Sequence, residues 1–467
     1  MTIDASDLIP RETARVNSRW RRIITPMPLP ESLPVIERLR TVEPRSTAGM
    51  PPVLWHEAEG FLVRDPFGNQ WIDLTSGIVV ANAGHSHPRI LAAIREATDR
   101  RLLATYTFAS RARLQLLEKL VALSPIPDSK AILFCSGTEA TECAITVMRR
   151  HGQQIHAGKT GVLSFAGSFH GRTLAASLAG GTQQPTDWID RAAVQHFHLP
   201  FPDCPRCPWG KQQYDQCGQT CFQNCLESLA QRGIGPERIA GVILEPIPGW
   251  STRAMPRDFA SAMAAWAREN EVLIALDEIQ CGCGRTGKLF ACEHLDLVPD
   301  LIALGKGLTS SLPVSAVIGR GELLDQALPG EMSSTHGGNP VCAAAALANL
   351  QIIEDEQLVE ASARTGARVL RRLQSLPSEF PDRVHAVNGL GLFISIHLKR
   401  PDNGRPDVVL GDAIAREAVR RGVLMFTTGR GYLKFTPPLC IDVDAALEAA
   451  DVIGECFSTL VRAAKGT

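Results

Sequence analysis

No stretch of this chain approaches the roughly 20 consecutive apolar residues that a bilayer-spanning helix needs, which argues against one. Charge of one sign is missing as well. Lys and Arg total 48 against 49 for Asp and Glu, so nothing draws the chain in bulk to nucleic acid or an anionic membrane. There is no internal repeat and no low-complexity tract. The segment Met1-Thr2-Ile3-Asp4-Ala5-Ser6-Asp7 lacks the basic and apolar stretches of a secretory signal. Thirteen cysteines, an odd number, are scattered over a long chain. That usage fits a reducing compartment, and a cytoplasmic location is expected. Aromatics are few, at 6%. Glycine (39) and proline (31) are plentiful instead, as frequent turns at strand ends require.

What is present suggests an α/β chain. At 467 residues it can bury a large core and carry a second, smaller unit. The first 50 residues or so are rich in Arg and Pro without a clean period, and are expected to form an arm with a short helix, docking on a partner subunit. Val63 to Leu74 alternates around the turn Asp65-Pro66-Phe67-Gly68-Asn69, a hairpin pattern. Pro88 opens an amphipathic helix with Ile90, Ile94 and Ala97 on one face. Ala131–Cys135, Val162–Phe165, Gly241–Leu244, Val272–Leu276 and Leu301–Leu304 are short, apolar and non-alternating. Such runs suit strands covered on both faces, hence a mostly parallel sheet with helices outside. Phe259, Met263, Trp266 and Ala267 mark the inner face of one crossover helix. From Pro340 long helices return, with strands at Gly391–His397 and Tyr432–Phe435, the pattern of a smaller α+β domain.

Chemistry gathers at the ends of the apolar runs. Lys306 follows Leu301–Leu304, and Asp277 ends Val272–Leu276. A lysine after a strand is commonly a solvated loop residue. Desolvated, its amine has a lowered pKa and a free lone pair, which Schiff-base formation needs. With a strand-end carboxylate to keep a pyridine nitrogen protonated, the pair suggests pyridoxal 5′-phosphate (PLP). Ser136-Gly137-Thr138 opens a helix after the first run and is either an ordinary N-cap or a phosphate grip. Phe169, beside His170 and Gly171, can stack on a flat ring or simply fill core. In Asp277-Glu278-Ile279-Gln280, Ile279 would pack the ring face opposite Phe169, and Gln280 would reach a phenolic oxygen.

From about residue 50 onward the chain resembles the class III, or ω-, aminotransferases, a branch of the fold-type I PLP enzymes. The resemblance rests on Gly84-His85-Ser86-His87-Pro88, on residues 277–287, on Lys306-Gly307-Leu308, and on Thr335-His336-Gly337-Gly338-Asn339-Pro340. It implies a PLP-dependent α/β fold-type I transferase, with a mostly parallel large domain and a smaller α+β domain. Residues 1–75 would form the arm and part of the small domain. Residues 76–335 would form the PLP-binding domain, with a cysteine-rich insertion at 202–226, and 336–467 the C-terminal small domain. It also implies catalytic roles for Lys306 and Asp277. The cofactor would be held by Ser136, Gly137, Thr138, Phe169, His170, Gly171, Asp277, Ile279, Gln280, Lys306 and Thr335. That Thr would act across a dimer, or a dimer of dimers.

The expected reaction moves an amino group from an amino acid or ω-amine to an oxo acid, 2-oxoglutarate or pyruvate, by ping-pong. A PLP racemase or epimerase, or a lyase on a phosphorylated amino alcohol, uses the same scaffold. A PLP-holding interaction protein is the non-enzymatic reading. Substrate contacts are expected from Glu245, Trp250, Lys434 and Ile78. The family pattern Glu-Pro-x-Gln-Gly-Glu-Gly reads here Glu245-Pro246-Ile247-Pro248-Gly249-Trp250, and its carboxylate-binding arginine is replaced by Lys434. Lys434 and Glu245 are expected to pair until a diacid enters, or Lys434 is a surface lysine on an edge strand. No metal is expected at the reacting centre. His85 and His87 lie two apart in a turn, without a third ligand nearby. Cys204, Cys207, Cys217, Cys221 and Cys225 could hold zinc or an iron–sulfur centre, or form a loop stapled by packing or disulfides.

Overall fold

A computed structural model describes residues 5–47, 51–181, 188–190, 193–204, 207, 209 and 217–463. The apolar runs form one seven-stranded sheet. Its strands are β1 (Ser129–Phe134), β2 (Gly161–Phe165), β3 (His196–Leu199), β4 (Ile239–Leu244), β5 (Leu273–Asp277), β6 (Leu301–Leu304) and β7 (Ser315–Arg320). They lie side by side in the order β1-β7-β6-β5-β4-β2-β3. Strands β4, β5 and β6 are buried at every position, which is why they read as unbroken apolar runs.

Strand β7 runs antiparallel to both its neighbours, while the other pairings are parallel. The sequence reading passed over β7 and β3. Gly319 and Arg320 interrupt the apolar signal of the first, and two histidines interrupt the second.

Helices cover the sheet. Helix α1 (Gly137–Ile155) buries Ala140, Ala144, Val147 and Met148 against residues of β5 and β6. Its small residues let the axis approach the strands closely. The helix Arg257–Glu269 buries Phe259, Ala260, Met263 and Ala267, with Trp266 half-buried beside them. Removing the Phe259 ring would cost about 3–5 kcal/mol.

A second sheet belongs to the C-terminal part: β8 (Val384–Leu390), β9 (Phe393–Leu398), β10 (Thr427–Thr428) and β11 (Tyr432–Phe435). It is antiparallel, in the order β8-β9-β11-β10. The 65–69 turn holds because Asp65 accepts from the backbone N–H of Phe67 and Asn69. The strands beside it pair with Arg22–Ile23 of the arm and with Val423–Leu424. This part of the arm is therefore anchored on its own chain. The arm's helix is Leu33–Val42.

The fold brings the chemistry to one edge. Ser136, Phe169, Glu245, Asp277 and Lys306 all follow or end a parallel strand at its C-terminal end, where open α/β sheets bind ligands.

Candidate active site

A cavity of about 1200 Å³ opens at that edge. It is lined by Gly137, Thr138, Phe169, His170, Gly171, Glu245, Trp250, Asp277, Ile279, Gln280 and Lys306, every one expected from the sequence. Segments far apart in the chain meet here, because each strand end contributes one turn.

Lys306 has a left-handed backbone, φ 40°, on a residue with a full side chain. Such strain persists only where the surroundings over-determine it, and it collects at functional sites. Burial holds the Lys306 amine below its ordinary value, and the nearby carboxylates of Asp277 and Glu245 oppose that shift. His170 donates from Nδ1 to Asp277 Oδ2 at 2.8 Å, and the two side chains are buried together. Asp277 Oδ1 accepts from the Ile279 N–H at 3.1 Å. The remaining ring nitrogen of His170 is buried, without a hydrogen-bond partner among the described residues. Glu245 accepts from the N–H of Phe169 at 2.9 Å and of Gly249 at 2.7 Å. Burial pushes its carboxyl above the usual range.

At the start of α1, Glu139 caps the turn by accepting from the N–H of Cys135 and Ser136 and from the Ser136 hydroxyl. Gly137 and Thr138 face the cavity. A Cβ at Gly137 would stand 2.9 Å from the Ile279 side chain, and one at Gly171 would run into the Thr138 side chain. The two glycines leave room on either side of the turn.

Four expected residues lie elsewhere. The hydroxyl of Ser136 is spent on Glu139, and Ser136 does not line the cavity. Thr335 is exposed and outside the cavity of its own chain. Ile78 is 38% exposed and also outside it. Lys434 is neither a surface lysine nor a cavity residue. It is 1% exposed, donates to the Gly249 carbonyl at 2.7 Å, and its Nζ lies 4.2 Å from the Phe393 ring centroid. It makes no ion pair with Glu245, because β11 brings it in behind the Gly249 turn. The reading in turn missed Phe426, Thr427, Thr428, Gly429 and Arg430, which close the cavity between β9 and β11. A lone arginine between two glycines reads as a surface turn, so no local signal marked it.

His85 bonds Asp73 at 2.8 Å and His87 bonds Glu356 at 3.1 Å, so the two imidazoles serve separate partners. Among the described residues, no group of three or more His, Cys, Asp or Glu is arranged to hold a metal ion. None of the five insertion cysteines forms a disulfide among the described residues, and much of the segment between Cys204 and Cys217 lies outside them.

These residues fit PLP. The Phe169 ring is 43% exposed, bare apolar surface with the Arg172 guanidinium 5.4 Å from its centroid. Ile279 stands against the Gly137 turn, Asp277 is fixed by His170, and a desolvated lysine completes the set.

A family model described as aminotransferase class-III matches residues 44–457. A 4-aminobutyrate aminotransferase of Mycobacterium leprae is 31% identical over 439 residues, covering 93% of this chain and 97% of the relative. An alanine/serine racemase of Pyrococcus horikoshii is 31% identical over 445 residues, covering 93% and 92%. Among solved structures, an (S)-enantioselective omega-transaminase from Thermomicrobium roseum superposes with a TM-score of 0.81 at 26% identity. That superposition covers 91% of this chain and 98% of the other.

Proposed function

The chain belongs to the class-III aminotransferases and is a PLP-dependent enzyme of that kind; we propose that it transfers the amino group of an amino acid to an oxo acid such as 2-oxoglutarate or pyruvate, by ping-pong. The observation that carries the residue assignment is the convergence of Lys306, Asp277 and His170 on one cavity beside the Gly137–Thr138 turn.

In this reading Gly137, Thr138 and Gly171 hold the phosphate, Phe169 and Ile279 hold the two faces of the ring, and Gln280 meets its hydroxyl oxygen. Asp277, oriented by His170, meets the ring nitrogen. PLP, when bound, supplies a carbonyl for the substrate amine and an electron sink for the charge left on the substrate carbon. Lys306 Nζ holds the cofactor at rest, because desolvation leaves its lone pair free. Once released, Nζ takes the proton from the amine-bearing carbon. In transamination Lys306 delivers that proton away from the substrate carbon. In racemisation it returns it there, and two of the relatives are named racemases.

Thr335, exposed on its own chain, serves the site of a partner subunit in a homodimer or a dimer of dimers. The neighbouring exposed apolar residues Leu102, Leu103, Tyr106 and Phe108 support this. Tyr106 bonds Ser333, and Asn339 bonds the Leu103 carbonyl, so the apolar segment is fastened to the Thr335 turn. No helix among the described residues is long and apolar enough to cross a membrane. The thirteen cysteines, none in a disulfide among the described residues, support a reducing cytoplasm.

The test incubates the yellow enzyme with single amino compounds and follows conversion to the pyridoxamine form. Conversion by an amino acid and recovery with an oxo acid is the expected result. Exchange of enantiomers without any oxo acid would replace this reading with racemisation.

A further inference from the structure

Three observations on the far wall of the cavity go beyond the transamination machinery. Glu245 is committed to backbone, with one oxygen on the Phe169 N–H and the other on the Gly249 N–H. Lys434 is withdrawn behind the wall, on the Gly249 carbonyl and the Phe393 ring. Arg430, in the turn between β10 and β11, faces the cavity with its Cζ 5.1 Å from the Trp250 ring centroid. Among the described residues it has no hydrogen bond and no ion pair. The indole Nε1 of Trp250 is itself buried, without an acceptor among the described residues.

A half-buried guanidinium at the cavity wall, stacked on an indole face and without an anion among the described residues, is a donor group awaiting a ligand. The planar fork of arginine matches a carboxylate in two parallel bonds. The indole face fixes the guanidinium plane and leaves its N–H edges for the ligand. Trp250 in turn is held from behind by the Tyr432 ring at 5.9 Å and the Phe201 ring at 6.2 Å. Tyr432 rests against His397 at 4.2 Å. The Ser395 hydroxyl donates to the Ser251 carbonyl at 2.8 Å, fastening the next residue of the Trp250 loop to β9.

We propose that Arg430 and Trp250 form a permanent carboxylate seat, so that amino donor and oxo acceptor alike bind through an acid group and carboxylate-free amines are disfavoured. This rests on the aminotransferase reading and names the substrate class for both half-reactions. The seat is permanent because no carboxylate stands ready to occupy Arg430 between substrates. Glu245 would have to break two bonds to backbone N–H groups to reach it. At the final position of Glu245-Pro246-Ile247-Pro248-Gly249-Trp250, an indole stands where the resembled pattern has a second acid.

Matched pairs that differ only by a carboxylate test it: L-alanine against ethylamine, and 4-aminobutyrate against propylamine. Each is followed by conversion of the holoenzyme to its pyridoxamine form. Two charge-assisted bonds predict kcat/KM about a hundredfold higher for the acid of the pair that fits. Arg430→Met should collapse that ratio to within about threefold by slowing the acid alone, and Trp250→Phe should lower it partway. A readout independent of turnover is calorimetric binding of glutarate to the holoenzyme, with Kd expected to rise at least tenfold in Arg430→Met. Equal reactivity within both pairs, or unchanged glutarate binding in Arg430→Met, overturns the seat. Failure of every amino compound to convert the cofactor would instead count against the aminotransferase reading, with the glutarate result still deciding on the seat.

Discussion

Glu245 and Lys434 are joined through Gly249 and not to each other. The Gly249 N–H donates to Glu245 Oε2 at 2.7 Å, and the Gly249 carbonyl accepts from Lys434 Nζ at 2.7 Å. One peptide turn thus satisfies both buried groups and ties β11 of the small sheet to the cavity wall. A Cβ at Gly249 would run into Gln280 Oε1, so the turn also sits tight against the residue assigned to the cofactor hydroxyl.

Burial holds the Lys434 amine well below its ordinary 10.5. The unfolded chain therefore binds more protons than the native one between the depressed native pKa and about pH 10.5, and stability rises with pH across that window. Lys434→Met fills the same volume without the charge, and should abolish the rise while costing about 1 kcal/mol for the lost bond to Gly249. Urea midpoints of the two proteins at increasing alkaline pH check this; parallel pH dependences would contradict it.

Glu278 carries the opposite sign. Burial pushes its carboxyl up to about 7 from 4.5, against the bonds it accepts from the N–H of Ala291 and Cys292. Its native form holds more protons than the unfolded chain between pH 4.5 and about 7, so stability falls as pH rises through that window. The loss amounts to about 3 kcal/mol. Glu278→Gln should flatten this slope, read from melting temperatures across the same pH window, although it gives up one of the two backbone bonds.

Lys306→Ala should lose at least about 10²–10⁴-fold in the half-reaction with any amino acid, the usual worth of a positioned base. Added small primary amines should restore part of the rate, since the cavity around Lys306 is open. The variant should still take up PLP, reversibly, as seen in the visible absorption of the dialysed protein. An active variant would remove Lys306 from its role.

His170→Phe should leave Asp277 buried without its imidazole donor. A hydrogen bond to a charged group is worth about 1.5–3 kcal/mol, so PLP should dissociate about 10–100-fold more readily. Titration of apoenzyme with PLP measures this. Because His170 acts through Asp277, the substrate KM should change much less than cofactor affinity.

Legibility followed the range of the signals. Runs buried on both faces were read correctly, because unbroken apolarity is a local consequence of lying between two helix layers. Asp277, Lys306 and Phe169 stood at the ends of those runs, so their convergence followed from a parallel sheet. Strand β7, an inner strand paired antiparallel on both sides, escaped because Gly319 and Arg320 break its apolar run near the end. Lys434 was misplaced because sequence gives its neighbours along the strand and not the Gly249 carbonyl that receives it. Arg430 was invisible for the same reason, being defined only by the Trp250 face across the cavity.

The sequence by itself determined five strands of the main sheet and the Gly137, Asp277 and Lys306 turns at their ends, since each is set by residues adjacent in the chain and by the period of burial. The tertiary structure alone decided where the charges point. Desolvation and hydrogen bonding depend on segments hundreds of residues apart, and they turned one expected substrate cation toward a backbone carbonyl while leaving a cation that the sequence did not mark, Arg430, without a hydrogen bond or ion pair among the described residues.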